Sequence, residues 1–312
     1  MGYYFDEIKR ALEKVKAAPS SMPHGHGITM NELPFAIQDL WSSRFIDPRI
    51  KNKVMQSPVY VYAADKFIVY SFGHLKFVTW IHIAQSISLL DALYGERATY
   101  PISICLAYSP RKKMLPHDRN VVLNATHVNS GLSMIRSMAC LIYRVEEMHK
   151  VILHELIHLY SNNESITNEQ DELIQARLSL QVLHGYTIRL NEARTDTLAC
   201  LFLCALRIGG AAFTKDRYMH QVRRLKRHAY MVAGNIIMFY KDRQWIEDTH
   251  VFSYYIGKAL ALAGMLAKNR GWTWGSDFFE FINPLCKHEN LAKLTRFANM
   301  SNMSLRMCPK VT

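Results

Sequence analysis

Apolar residues at Phe5, Ile8, Leu12 and Val15, with charged residues between them, predict an amphipathic helix over residues 5–17. Residues 19–27, rich in Pro, Ser, Gly and His, read as a loop. The period then changes. Residues 58–62 and 66–72 are dense in Val, Ile, Tyr and Phe and are separated by Ala63-Ala64-Asp65, which predicts a hairpin. Residues 78–94 return to helical spacing. Residues 102–108 and 120–128 regain strand character around the turn Ser109-Pro110-Arg111-Lys112-Lys113. From about Ser133 the pattern is helical almost throughout, with candidates at 144–160, 171–183, 191–206, 216–240 and 251–268. Strands first and helices after predict an α+β fold rather than an alternating one. The expected division is a strand-rich N-terminal lobe over 1–132 and a mainly helical lobe over 133–312, the two forming one unit with a cleft between them.

Composition adds limits. The chain has 312 residues, 49% of them apolar and 21% charged, which allows a sizeable core and excludes disordered and collagen-like classes. Six Cys without a CxxC pair read as reduced, buried thiols, so an intracellular compartment, cytoplasmic or nuclear, is expected. Residues 1–18 alternate charged and apolar positions and lack the apolar stretch of a signal peptide. A chain that starts directly in a helix is expected to need no processing. The longest apolar run, 198–206, stops at Arg207, short of the ~20 residues a membrane span requires.

The net charge of +12 comes from 38 Lys plus Arg against 26 Asp plus Glu, and it is unevenly spread. Residues 205–245 carry nine Lys or Arg against Asp216 and Asp242. That segment points to nucleic acid or an acidic surface as a partner, with a solvated helix face as the plainer reading. Residues 144–172 run the other way, with seven acids against Arg144 and Lys150.

The chemistry gathers in that acidic stretch. His154-Glu155-Leu156-Ile157-His158 is an HExxH sequence inside an apolar helical segment. Residues four apart on a helix lie one above the other, so both imidazoles can reach one ion. Glu155 projects beside them, where it can touch a water on that ion. Zinc (Zn2+) favours such nitrogen ligands and lowers the pKa of its water to about 7. Two His and a Glu among Val, Ile and Leu are costly to bury without a partner. A catalytic zinc needs a third protein ligand, and Asn191-Glu192-Ala193-Arg194-Thr195-Asp196 opens a later helix. Glu192 can supply that ligand. Asp196, one turn on, can accept a hydrogen bond from a ligand imidazole and fix its tautomer.

Taken together, these two motifs resemble those of the gluzincins, the thermolysin-like zinc metallopeptidases, which pair HExxH with a later NExxSD-type helix. Here the second motif is NEARTD, with Thr195 in the Ser position. The resemblance covers about residues 120–210. It implies His154, His158 and Glu192 as zinc ligands, Glu155 as general base and Asp196 as the group behind them. It also implies a strand-rich lobe, a helical lobe and an active-site cleft between. The interval from His158 to Glu192 is longer than in compact members, which implies an inserted segment around residues 162–187. A rival third ligand is Glu164, six residues after His158, at the spacing of metzincins, although Ser161 replaces their turn glycine.

Two further elements complete the reading. An edge strand beside the HExxH helix would pair with extended peptide, and residues 124–131 are the last strand candidate before it, with Asn129 and Gly131 at the cleft rim. An oxyanion needs a neutral donor or an imidazolium, and residues 248–255 offer Tyr255 and His250. Cys200 and Cys204, four apart among Leu and Phe, read as core packing, and His220 and His228 as part of a solvated basic face. The HGHG run at 24–27 reads as linker. The expected function is peptide-bond hydrolysis by a zinc metallopeptidase. The alternative is a basic nucleic-acid- or partner-binding protein with a structural or inactive zinc site, for which an intact Glu155 has no use.

Overall fold

In a computed structural model of the chain, residues 2–17, 19–95, 101–161, 166–183, 188–268 and 278–309 are described. Helix α1 (Gly2–Lys14) buries Phe5, Ile8 and Ala11 on its apolar face. Strand β1 (His26–Ile28) takes up the end of the stretch read as loop. Helices α2 (Phe35–Ser42) and α3 (Pro48–Val54) follow; α3 starts on Asp47, whose carboxylate accepts from the Arg49 amide, with Pro48 in the first turn. The predicted hairpin is β2 (Val59–Ala63) and β3 (Phe67–Phe72), paired antiparallel with Val59 opposite Phe72. After α4 (Phe77–Tyr94) come β4 (Ile102–Ser109), the short β5 (Leu123–Asn124), α5 (Ala125–Val128), β6 (Gly131–Met134) and β7 (Ala139–Arg144).

Six of these strands form one sheet in the order β1-β2-β3-β4-β7-β6. Its centre, β3-β4-β7, is parallel, and β6 closes one edge antiparallel to β7. Parallel strands need cover on both faces, and alternate residues supply it. Ile104, Leu106, Cys140 and Ile142 belong to the core shared with the main helices; Cys105, Ala107, Leu141 and Tyr143 belong to a second core with α2 and α3.

The second half is helical: α6 (Met148–Tyr160), α7 (Asn168–Arg177), α8 (Leu190–Ile208), α9 (Lys215–Phe239), a π-helical turn at Phe252–Gly257, α10 (Lys258–Lys268), α11 (Phe278–Ile282) and α12 (His288–Leu294). Strands β8 (Leu180–Val182) and β9 (Trp245–Asp248) join β5 in a small parallel sheet ordered β5-β9-β8. Helix α6 lies on β6 and β7 and packs against α4 and α8. No helix among the described residues is long and apolar enough to cross a membrane.

The α+β class, with a six-stranded sheet in the N-terminal half and mostly helices in the C-terminal half, is as expected. Three local expectations are corrected. Residues 120–128 are not one strand: the Asn124 side chain accepts from the Thr126 amide and caps α5. Residues 133–134 and 139–144 are strand rather than α-helix, so a lobe boundary at 132/133 would cut through β6; the sheet runs on to Arg144. The unbroken apolar run of β7 has no period to separate a buried strand from a buried helix. Residues 171–183 divide at Leu178 into the end of α7 and β8.

Candidate metal centre

Helix α6 is wedged between the sheet and α8, so nearly all of it is buried, including His154 and Glu155. His158, one turn later, stands at the rim. Helix α8 approaches with Glu192 in its first turn, where a carboxylate complements the helix dipole. The approach brings three donor atoms together. His154 Nε2 is 3.1 Å from Glu192 Oε2 and 3.1 Å from His158 Nε2, and His158 Nε2 is 3.3 Å from Glu192 Oε2. Bonds of about 2.0–2.1 Å in a tetrahedral zinc site space ligand atoms about 3.3 Å apart. One proton serves only one side of such a triangle, whereas a dication at its centre serves all three, so the residues present fit a metal ion. Among the described residues no other group of three His, Cys, Asp or Glu gathers its donors this tightly.

The electrostatics favour positive charge at that point. Burial opposes a charged His154, yet the Asp196 and Glu192 carboxylates against its ring lift its pKa to about 9. Burial likewise works to raise the Glu192 pKa, but the adjacent His158 and His154 hold it well below the usual carboxylate range. Behind them, Asp196 Oδ1 lies 3.2 Å from His154 Nδ1, bent away from a straight hydrogen bond. That contact turns the Nε2 lone pair toward the trio. Asp196 is itself fully buried and takes ion pairs from Lys150 and, at 2.8 Å, from Lys258.

Glu155 sits beside the trio under the edge strand. A Cβ on Gly131 would fall 2.6 Å from Glu155 Oε1, so glycine is what lets β6 pass over the carboxylate where it stands. Burial raises the Glu155 pKa, partly offset by the neighbouring His154 and His158. Asn129 is buried and accepts from the Thr249 hydroxyl at 3.3 Å. Thr249, with Arg44, Phe45, His158, Glu192 and His250, lines a pocket of about 320 Å³ that opens onto the trio. His250 Nδ1 is buried with no hydrogen-bond partner among the described residues, and burial lowers the pKa of this ring, which keeps it neutral.

Of the residues singled out in the sequence, His154, His158, Glu192, Glu155, Asp196, Gly131 and His250 converge here, with Asn129 bracing the wall. Tyr255 does not join them: its hydroxyl donates to the Leu305 carbonyl at 2.9 Å. Its neighbour Tyr254 faces the trio instead, with its ring 5.9 Å from that of His154 and 6.2 Å from that of His250. Burial and the carboxylates of Glu192, Glu155 and Asp196 raise the Tyr254 pKa and hold it as a neutral phenol. Glu164 and part of the inserted segment lie outside the described residues. Cys200 is buried 3.3 Å from Cys308, consistent with packing. Lys150 and Lys258 escaped the sequence reading, although a Lys directly before Val151-Ile152-Leu153 signals a buried cation that needs a carboxylate. No family model, curated protein or solved structure matches the chain.

Proposed function

We propose that this chain is a zinc-dependent peptidase of gluzincin type, with His154, His158 and Glu192 as the metal ligands. The observation that carries the reading is the triangle of donor atoms 3.1–3.3 Å apart, with a separate carboxylate, Glu155, beside it and an open pocket in front. A structural zinc has no need of that carboxylate or that opening.

A divalent ion held by the trio supplies Lewis acidity toward the scissile carbonyl and lowers the pKa of the attacking water. The chain's own groups do the rest. Glu155 accepts the proton of that water as its oxygen attacks, then passes the proton to the leaving amine. Its raised pKa suits both transfers. Asp196 holds His154 in one tautomer. Tyr254, a neutral phenol facing the trio, and His250 donate toward the carbonyl oxygen as charge develops on it. Strand β6, last in the sheet order, offers its free edge to an extended peptide through main-chain hydrogen bonds.

The test joins metal content to turnover. Purified wild type should hold one zinc per chain and Glu192→Ala none. Glu155→Gln should keep the zinc while hydrolysis of an unfolded protein substrate falls about 10²–10⁴-fold. Zinc absent from the wild type, or full turnover by Glu155→Gln, would sink the reading.

A further inference from the structure

A second concavity, of about 1210 Å³, lies at the opposite end of α6 from His158. Three separate parts of the chain wall it: the turn before α4 at Lys76, the turn after β4 at Lys112, and the C-terminal segment at Arg306. Arg207, at the end of α8, and Lys150 bring the cations among the described lining residues to five, against which stand Glu146 and Glu147. Both carboxylates are already matched. Glu147 pairs with Lys113 at 3.4 Å and accepts from the Cys308 amide; Glu146 accepts from the Lys113 amide and faces Arg306 at 3.7 Å. Lys76, Lys112 and Arg207 have no acidic partner among the described residues.

A cleft lined by one sign of charge focuses its field and concentrates counter-ions. Met148, His149 and Lys150 of the first turn of α6 line it, so the positive end of that helix's dipole adds to the same field. Separated Lys point charges together with Arg forks suit a ligand that spreads several negative charges over phosphate oxygens. Duplex nucleic acid presents its phosphates on a convex surface, which fits an exposed stripe such as Arg223 and Arg227 on α9 better than a concavity.

We infer that this cavity binds a small, multiply charged phosphate compound, at a site separate from the metal centre and independent of the peptidase reading. Lys150 in its wall is already paired with Asp196, so Lys76, Lys112 and Arg207 supply the charge that meets the ligand.

The probe is inorganic tripolyphosphate, titrated calorimetrically into the full chain at constant ionic strength. Wild type should bind it, sulfate at equal ionic strength should not displace it, and Lys76→Glu/Arg207→Glu should bind at least tenfold more weakly. Both substitutions are at exposed positions, so the thermal melt of the double variant should match wild type. Both proteins keep the trio, so any chelation of its metal is common to the two and cancels. Arg223→Glu/Arg227→Glu on α9 should leave tripolyphosphate binding intact. Equal affinity in wild type and the Lys76/Arg207 variant overturns the inference. So does loss of affinity in the α9 variant, or binding of a DNA duplex or of anionic vesicles without binding of tripolyphosphate.

Discussion

Helix α6 carries buried charge at both ends, and the two ends are built differently. Toward its start, Glu147 and Lys150 join Lys113, Asp196 and Lys258 in a cluster in which every charge meets an opposite one. The C-terminal segment completes it: the Cys308 amide donates to Glu147 and the Met307 carbonyl accepts from Lys258. Toward its end, His154, His158 and Glu192 point their donor atoms at one another, and Glu155 has no ion pair among the described residues. A saturated cluster rigidifies. One whose donor atoms converge on a single point is arranged for something to be added. Burial alone therefore does not mark function; the distinction lies in whether the groups satisfy each other.

The largest effect should come from breaking the saturated cluster. Asp196→Leu leaves Lys150 and Lys258 buried without their carboxylate, which costs about 3–5 kcal/mol. Urea unfolding of metal-free protein measures it. Glu192→Ala in the same metal-free state should cost less, because His154 keeps its contact with Asp196 and His158 stands at the rim. Equal losses would erase the contrast between the two ends.

Next comes a phenol at the open end. If Tyr254 donates to the developing oxyanion, Tyr254→Phe should lower kcat about 10²–10³-fold, with zinc content unchanged. Tyr255→Phe should leave kcat alone and remove only the hydrogen bond to Leu305, about 1 kcal/mol of stability. The reverse pattern in the two variants would assign the donor to Tyr255.

That pair also shows where the sequence stops being legible. The HExxH and NEARTD spacings report geometry that any α-helix enforces, so the positions of His154, His158, Glu192 and Asp196 were readable. The choice between Tyr254 and Tyr255 was not, because the π-helical turn at Phe252–Gly257 widens the helix and changes which neighbour faces inward. Strand β7 was unreadable for another reason: Ala139-Cys140-Leu141-Ile142-Tyr143 is buried on both faces and carries no period. The Lys258 partnership with Asp196 joins residues far apart in the chain, and only the packing of α10 on α8 brings them together.

Glu247 extends the comparison to a buried carboxylate with no cation partner among the described residues. Burial raises its pKa to about 8, although the Trp245 indole and the Phe252 amide donate to it. Asp196, equally buried, is held well below the usual range because Lys150, Lys258 and His154 surround it. The native state thus keeps a Glu247 proton that the unfolded chain releases near pH 4.5. The stability this contributes is full below that pH and is lost as the pH rises toward 8, with a slope of at most about 1.4 kcal/mol per unit. Glu247→Gln keeps an acceptor for both donors and cannot ionise. Its advantage over wild type should grow between pH 5 and 8 to on the order of 3 kcal/mol, read from urea midpoints. A constant difference across that range would mean that Glu247 does not titrate there.

Gly131 reports how closely the sheet edge and Glu155 are fitted. In Gly131→Ala the new methyl would meet Glu155 Oε1 at 2.6 Å and Val151 Cγ1 at 2.8 Å. Overpacking of this kind costs about 1–3 kcal/mol. The strand cannot move far, since Gly131 is held opposite Ile142 in the antiparallel ladder. The carboxylate, at the end of a side chain with free torsions, is the group that yields. Stability should therefore fall modestly while turnover falls much further, and the zinc should stay, because the atoms nearest the new methyl belong to Glu155 and Val151 and not to a ligand. A proportionate loss of stability and turnover would mean that the glycine serves packing alone, and the edge strand would lose its claim to a part in catalysis.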